Sequence, residues 1–180
     1  MLNRRQFLAG SASTLALTAS PVQAMLRPGS DALLSLIGLP GINGASPTAG
    51  DLAGHPVLMT FWASWCPPCR DEFRHFNALQ RTYGDRGLVV LGVNAFEDYG
   101  GLSSEAKRAR FLKQTGPTFR LVESDASTLK AFGGITRIPT VMLFDRHSEM
   151  AYQFVHKKDA SKMHITYGEL KPVLDMLLPG

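Results

Sequence analysis

Cysteine is scarce in this chain: its 180 residues hold two, Cys66 and Cys69. That scarcity excludes a small domain stapled by disulfides, which would carry several cysteines at wide spacing. It also leaves too few thiolates for a closed four-ligand zinc site. A disulfide across two intervening residues restrains the unfolded chain little, because that stabilisation grows with loop length. The pair is therefore suited to switching between thiol and disulfide rather than to holding a fold. Charge is sparse as well. Charged residues make up 19% of the chain and hydrophobic ones 44%, an ordinary globular composition. The formal charge is +4, and setting aside Arg4 and Arg5 leaves 17 basic against 15 acidic residues. No dense Lys/Arg stripe is present, so nucleic acid is not an expected partner. The cluster Lys107, Arg108 and Arg110 reads as a solvated helix face. His55, His75, His147, His156 and His164 lack metal-ligand spacing and read as surface histidines. No metal or cofactor is expected.

Residues 1–24 read as an export signal that is removed. Arg4 and Arg5 precede Phe7 and Leu8, then comes a charge-free stretch rich in Ala, Ser, Thr and Leu. Val22, Gln23 and Ala24 offer small residues where a signal peptidase cuts. The paired arginines resemble the twin-arginine signal, which implies the twin-arginine export machinery as a partner and a periplasmic location. The rival reading is an uncleaved anchor over residues 6–26, which is charge-free. Its low apolar density, Pro21 and several hydroxyl residues argue against that.

Residues 25–54 are rich in Gly and Pro and read as an N-terminal extension of the domain at 55–180. A short helix is expected at 31–37, and Asn43-Gly44 is a hairpin-type turn signal. From His55 the pattern sharpens. Apolar runs at 57–61 and 88–93 read as buried strands, with further strands at 119–123, 140–144 and 151–155. Met142 and Phe144 are core residues by strand alternation. Pro67 and Pro68 are tolerated only in the first turn of a helix, so a helix is expected from about Cys66 to about Tyr83. Phe73, Phe76, Leu79 and Tyr83 would line its buried face. Other helices are expected at 103–115, at 125–132 and from about Gly168, which would place Pro172 in a first turn. The alternation implies an α/β fold with parallel crossovers early and an antiparallel pair of strands late.

The strand-to-helix junction gives the cysteines their chemistry. A free thiol is mostly protonated at neutral pH, and the thiolate is the nucleophile. At the first position of a helix, unpaired backbone N–H groups and the helix dipole favour the anion. Cys66 is placed there, with Cys69 three residues on and able to resolve a mixed disulfide. Arg70, beside Cys69, is either a further cation that favours the thiolate or an exposed side chain.

The segment Phe61-Trp62-Ala63-Ser64-Trp65-Cys66-Pro67-Pro68-Cys69 resembles the active-site segment of thioredoxins, and most of all the exported TlpA-like and ResA-like thiol–disulfide oxidoreductases. Gly134-Ile135-Thr136-Arg137-Ile138-Pro139-Thr140 resembles their cis-proline segment. The resemblance implies a thioredoxin-like fold, a central mixed sheet flanked by helices. It further implies a cis Pro139 beside the cysteines and a backbone at Ile138 that pairs with a substrate chain. Trp65 would screen the cysteines at the substrate-binding surface, or pack into the core with Trp62. Glu72 matches a family glutamate three residues after the second cysteine and is the candidate acceptor of the Cys69 proton; the alternative is an acidic residue favoured early in a helix. Two departures stand out. Thr60 replaces the buried Asp of thioredoxins proper, which shifts proton handling to Glu72 or water. Phe73, Arg74 and His75 stand where a helix-kinking proline is common.

The function implied is periplasmic disulfide reduction on protein cysteines, with a membrane electron donor restoring the dithiol. Apocytochrome c and copper-site cysteines are the substrates that the resemblance offers. The same residues serve a disulfide-donating oxidase, and a Cu(I)-binding chaperone is a third reading. A purely structural disulfide is disfavoured by its short loop.

Overall fold

The computed structural model describes residues 29–179 apart from residue 103. The export-signal reading of residues 1–24 and the expected helix start at Ser103 lie outside the described residues. Strand β1 (Val57–Trp62) is buried along its whole length. It is central, paired in parallel with β2 (Val89–Asn94) and antiparallel with β4 (Thr140–Phe144). β3 (Arg120–Glu123) extends the sheet in parallel beyond β2, and β5 (Met150–Val155) closes it in antiparallel beyond β4. The order is β3-β2-β1-β4-β5. Helices α3 (Pro67–Tyr83) and α4 (Glu105–Thr115) make the parallel crossovers, α5 (Ala126–Ala131) leads into β4, and α6 (Tyr167–Leu177) follows β5. The parallel start and antiparallel finish are as the pattern implied.

Both faces of the sheet are covered, which explains why β1 and β4 read as unbroken apolar runs instead of alternating. Phe61 and Trp62, adjacent on β1, point to opposite faces. Phe61 meets Phe132 edge-on at 5.4 Å, just past α5. Trp62 meets Phe73 of α3 at 5.1 Å and stacks on Phe111 of α4 at 4.9 Å. Burying each such ring contributes roughly 1.5–3 kcal/mol. Gly92 of β2 lies beneath this cluster. A Cβ there would stand 2.4 Å from Leu121 Cδ2 and 3.1 Å from Trp62 Nε1, so the close approach requires glycine. Met142 and Phe144 are buried as expected, and so are their neighbours Val141 and Leu143.

Several local expectations are corrected. The first helix, α1, is Ser30–Leu34, shorter than residues 31–37. Asn43-Gly44 turns no hairpin. The Asn43 side chain accepts from Leu121 N–H at 2.8 Å and donates to Phe119 O at 2.9 Å. Ile42 N–H donates to Leu121 O at 2.8 Å, so this stretch covers the β3 edge that would otherwise be open. A four-residue helix, α2 (Ala49–Leu52), went unforeseen; its signal is the Thr48–Asp51 capping box. Leu33, Leu36, Leu39 and Leu52 bury their side chains in the common core. Helix α6 starts at Tyr167, so Pro172 sits in its second turn rather than its first. Pro172 and Gly168 are exposed, and the carbonyl released by the missing N–H therefore faces solvent. Helix α3 runs 17 residues without interruption through Phe73, Arg74 and His75.

Candidate active site

The end of β1 and the start of α3 form the site. Residues 63–65 turn the chain, and Cys66 is the N-cap of α3 in extended conformation, with Pro67 and Pro68 in the first two helical positions. Prolines suit those positions because their missing N–H groups have no helical partner there. Cys66 Sγ accepts a hydrogen bond from Cys69 N–H at 3.3 Å. The sulfur thus takes one of the unpaired donors that a helix start leaves. Cys66 and Cys69 are joined in a disulfide, with Cα atoms 5.4 Å apart. Cys66 retains 3% exposure and Cys69 none, so Cys66 is the one an external partner can reach. Arg70 is exposed, its guanidinium 5.9 Å from the Phe111 ring centre.

Behind the pair, Glu72 is fully buried. Its Oε2 accepts from Thr60 Oγ1 at 2.6 Å and its Oε1 from Ile165 N–H at 3.3 Å. Burial drives its pKa up to about 8, against which the Thr60 and Ile165 hydrogen bonds work only in part. The reading of Glu72 as a merely helix-favoured acid does not fit this setting, since a surface carboxylate would meet that preference without losing its water. Thr60, which stands in place of the thioredoxin Asp, is a direct partner of Glu72. The sequence placed the two near one site but did not foretell their contact.

The Ile138-Pro139 peptide is cis. Register places it: Phe61 of β1 lies opposite Thr140 of β4, so the residues just before β4 and just after β1 share one end of the sheet. Ile138 and Pro139 are both buried. Pro139 O accepts from His156 N–H at 3.0 Å.

A rim around Trp65 completes the site, and its other members, Phe96, Glu97 and Tyr99, were missed by sequence reasoning. Trp65 packs only partly against the core that buries Trp62. It is half-buried, its Nε1 donates to Phe96 O at 2.8 Å, and its ring stacks on exposed Tyr99 at 5.6 Å. Glu97 accepts from Ser64 N–H at 3.0 Å, from Ser64 Oγ, and from Asn94 Nδ2 at 2.8 Å. The available signal was positional, because loops after strand C-terminal ends converge on sites in open α/β sheets.

The histidines are not all plain surface residues. His75 and His164 are half-buried and stack at 5.7 Å, and burial followed by the His164 charge lowers the His75 pKa. His55 Nδ1 lies 3.0 Å from Gly87 O. Among the described residues, no group of three or more His, Cys, Asp or Glu side chains is placed to hold a metal ion.

This architecture, a mixed five-stranded sheet with a cysteine pair at a strand-to-helix junction, is thioredoxin-like. The redoxin family model matches residues 36–168, and the chain belongs to that family. Among similar proteins, the thiol-disulfide oxidoreductase ResA of Halalkalibacterium halodurans is 31% identical over 113 residues, 62% of this chain and 60% of its own. ResA of Bacillus subtilis is 26% identical over 131 residues, 72% of this chain and 69% of its own. The chain thus spans less than two thirds of the first of these relatives. Among solved structures, a DsbF homologue from Corynebacterium diphtheriae matches with TM-score 0.61 and 26% identity, covering 76% of this chain and 81% of that one. The ResA-like resemblance drawn from the cysteine segment therefore holds.

Proposed function

We propose that the protein is a thiol–disulfide oxidoreductase that reduces disulfides in protein substrates outside the cytoplasm. The observation that carries this reading is the Cys66–Cys69 pair at the start of α3 with the buried Glu72 one turn behind it. In the reduced protein, the Cys66 thiolate attacks a substrate disulfide. The substrate S–S bond breaks, one substrate sulfur leaves as a thiolate, and Cys66 holds the other in a mixed disulfide. Cys69 gives its proton to the Glu72 carboxylate and attacks Cys66 Sγ. The second substrate thiolate departs, and the Cys66–Cys69 disulfide forms as two electrons pass to the substrate.

The high pKa of Glu72 serves that second step. An ordinary carboxylate near 4.3 is a poor acceptor for a thiol proton near about 8.5. A buried carboxylate with its pKa at about 8 is nearly matched to it. Trp65, Ile138 and Pro139 form the substrate-facing side, with the Ile138 backbone pairing to the bound chain. Residues 1–24 direct export through the twin-arginine route to the periplasm, where oxidising conditions require a membrane electron donor to restore the dithiol.

The test is the reduction potential of the Cys66–Cys69 pair in the purified protein, equilibrated against dithiothreitol or glutathione. A value near about −270 mV supports the reductase, and one near about −120 mV overturns the direction in favour of a disulfide-donating oxidase. A pair that does not cycle overturns the redox reading altogether.

A further inference from the structure

Three ties bind the turn that carries Cys66 to the segment after β2. Trp62 O accepts from Ala95 N–H at 2.8 Å, Trp65 Nε1 donates to Phe96 O at 2.8 Å, and Ser64 is held twice by Glu97. Glu97 joins the set most directly. One carboxylate oxygen takes both Ser64 N–H and Asn94 Nδ2, and the other takes Ser64 Oγ. Asn94 is itself fixed, its carbonyl accepting from Ser124 N–H at 3.0 Å and Ser124 Oγ at 2.6 Å. Ser64 is 3% exposed and lies two residues before Cys66, in a stretch with no regular backbone pattern to hold it. A buried turn must place its polar groups somewhere, and here a side chain from another element receives them.

From this geometry we infer that Glu97 is a positioning residue for the nucleophile. By clamping Ser64 against Asn94 it holds Cys66 at the N-cap of α3, with Sγ on the Cys69 N–H, where the helix start favours the thiolate. The inference rests on the reading of Cys66 as the attacking thiol. In this role Glu97 acts through Ser64. Without the clamp the turn relaxes, Sγ leaves the helix start, and the thiol titrates closer to a free cysteine.

The test uses the full chain, reduced, and follows alkylation of Cys66 by iodoacetamide as a function of pH in the wild type and in E97Q, E97D, E97A and S64A. Peptide mass spectrometry assigns the label to Cys66. E97A and E97D move the midpoint upward by about one pH unit, towards the free-thiol value near 8.5. E97Q restores a midpoint close to that of the wild type, because its amide oxygen can accept from Ser64 N–H and Asn94 while its NH2 donates to Ser64 Oγ. S64A, which removes a single tie and does not depend on E97A folding, moves the midpoint upward by less. A wild-type midpoint in both E97A and S64A overturns the inference. So does a shared downward shift in E97Q and E97A, which would make the charge of Glu97, not its placement of Ser64, the active element. Failure of the wild type to form and reduce its disulfide would overturn the parent reading instead, and the reduction potential reports that separately.

Discussion

Replacing Glu72 by Gln removes a proton-binding group whose pKa is about 8 in the fold and 4.5 when unperturbed. Between those pH values the folded chain holds one more proton at this site than the unfolded chain. Unfolding free energy therefore falls as pH rises, by about 1.4 kcal/mol per pH unit from this residue alone. The contribution is complete below the unperturbed value and is lost as pH rises through the folded value. Gln keeps its amide oxygen as the acceptor for Ile165 N–H, turns its NH2 to donate to Thr60 Oγ1, and does not titrate. The difference in stability, E72Q minus wild type, should thus move in favour of the variant by about 2–3 kcal/mol between pH 5.5 and 7.5. Urea unfolding of the oxidised proteins at a series of pH values measures it, and taking the difference cancels every other titrating group. Parallel stability profiles would refute the argument, since they would mean that Glu72 ionises as freely in the fold as outside it. The same variant should slow resolution of a mixed disulfide by about 10²–10⁴-fold, the usual contribution of a positioned general base.

Thr60→Val removes the hydroxyl that donates to Glu72 Oε2, which raises the carboxyl pKa further. In urea unfolding, the fall in stability should continue to higher pH than in the wild type, with an added cost of about 2 kcal/mol once Glu72 is ionised. Gly92→Ala drives a methyl into Leu121 and Trp62, so thermal unfolding should show a loss of about 1–3 kcal/mol. Asp51→Asn weakens the α2 capping box and the bridge to Arg120, whose hydrogen bond is the largest cause holding the Asp51 carboxyl well below the usual range. A depressed carboxyl stabilises above its unperturbed pKa and loses that effect as pH falls. The variant should therefore unfold about 1 kcal/mol more easily at pH 7, and the gap should begin to close only once the pH falls below the unperturbed value of 3.8.

What the chain revealed about itself depended on how local the cause was. The helix start at the cysteines was legible because Pro67 and Pro68 restrict the backbone where they stand, and the strand before it because residues 57–61 form a short apolar run. The parallel-then-antiparallel order followed from alternating apolar periods. Structure made by distant partners was not legible. Asn43 looks like a turn residue until Phe119 and Leu121, more than seventy positions away, take its side chain. Helix α6 starts at Tyr167, one residue from the expected position, but Pro172 lies in its second turn, on an exposed stretch, so the expectation that the proline needs a first turn failed. The site divides in the same way. Cys66 and Cys69 were evident from spacing, whereas the Glu97 clamp joins positions 33 residues apart and has no short-range signature.

Thr60 shows how a departure from a family pattern can be read too simply. On sequence alone its hydroxyl looked like a lost acid, with the proton passed to Glu72 or to water. In the fold it is 2.6 Å from Glu72, at a distance where a second carboxylate would compete for the same space and the same proton. Two buried carboxyls that close cannot both ionise, and one pKa of the pair would be driven far up. A hydroxyl avoids the conflict because it donates to the ionised carboxylate yet carries no charge. Burial then acts on one acid alone and raises its pKa to about 8, close to the range of the thiol it would serve. The exchange of Asp for Thr thus spares Glu72 a competing carboxyl and gives it a hydroxyl donor instead.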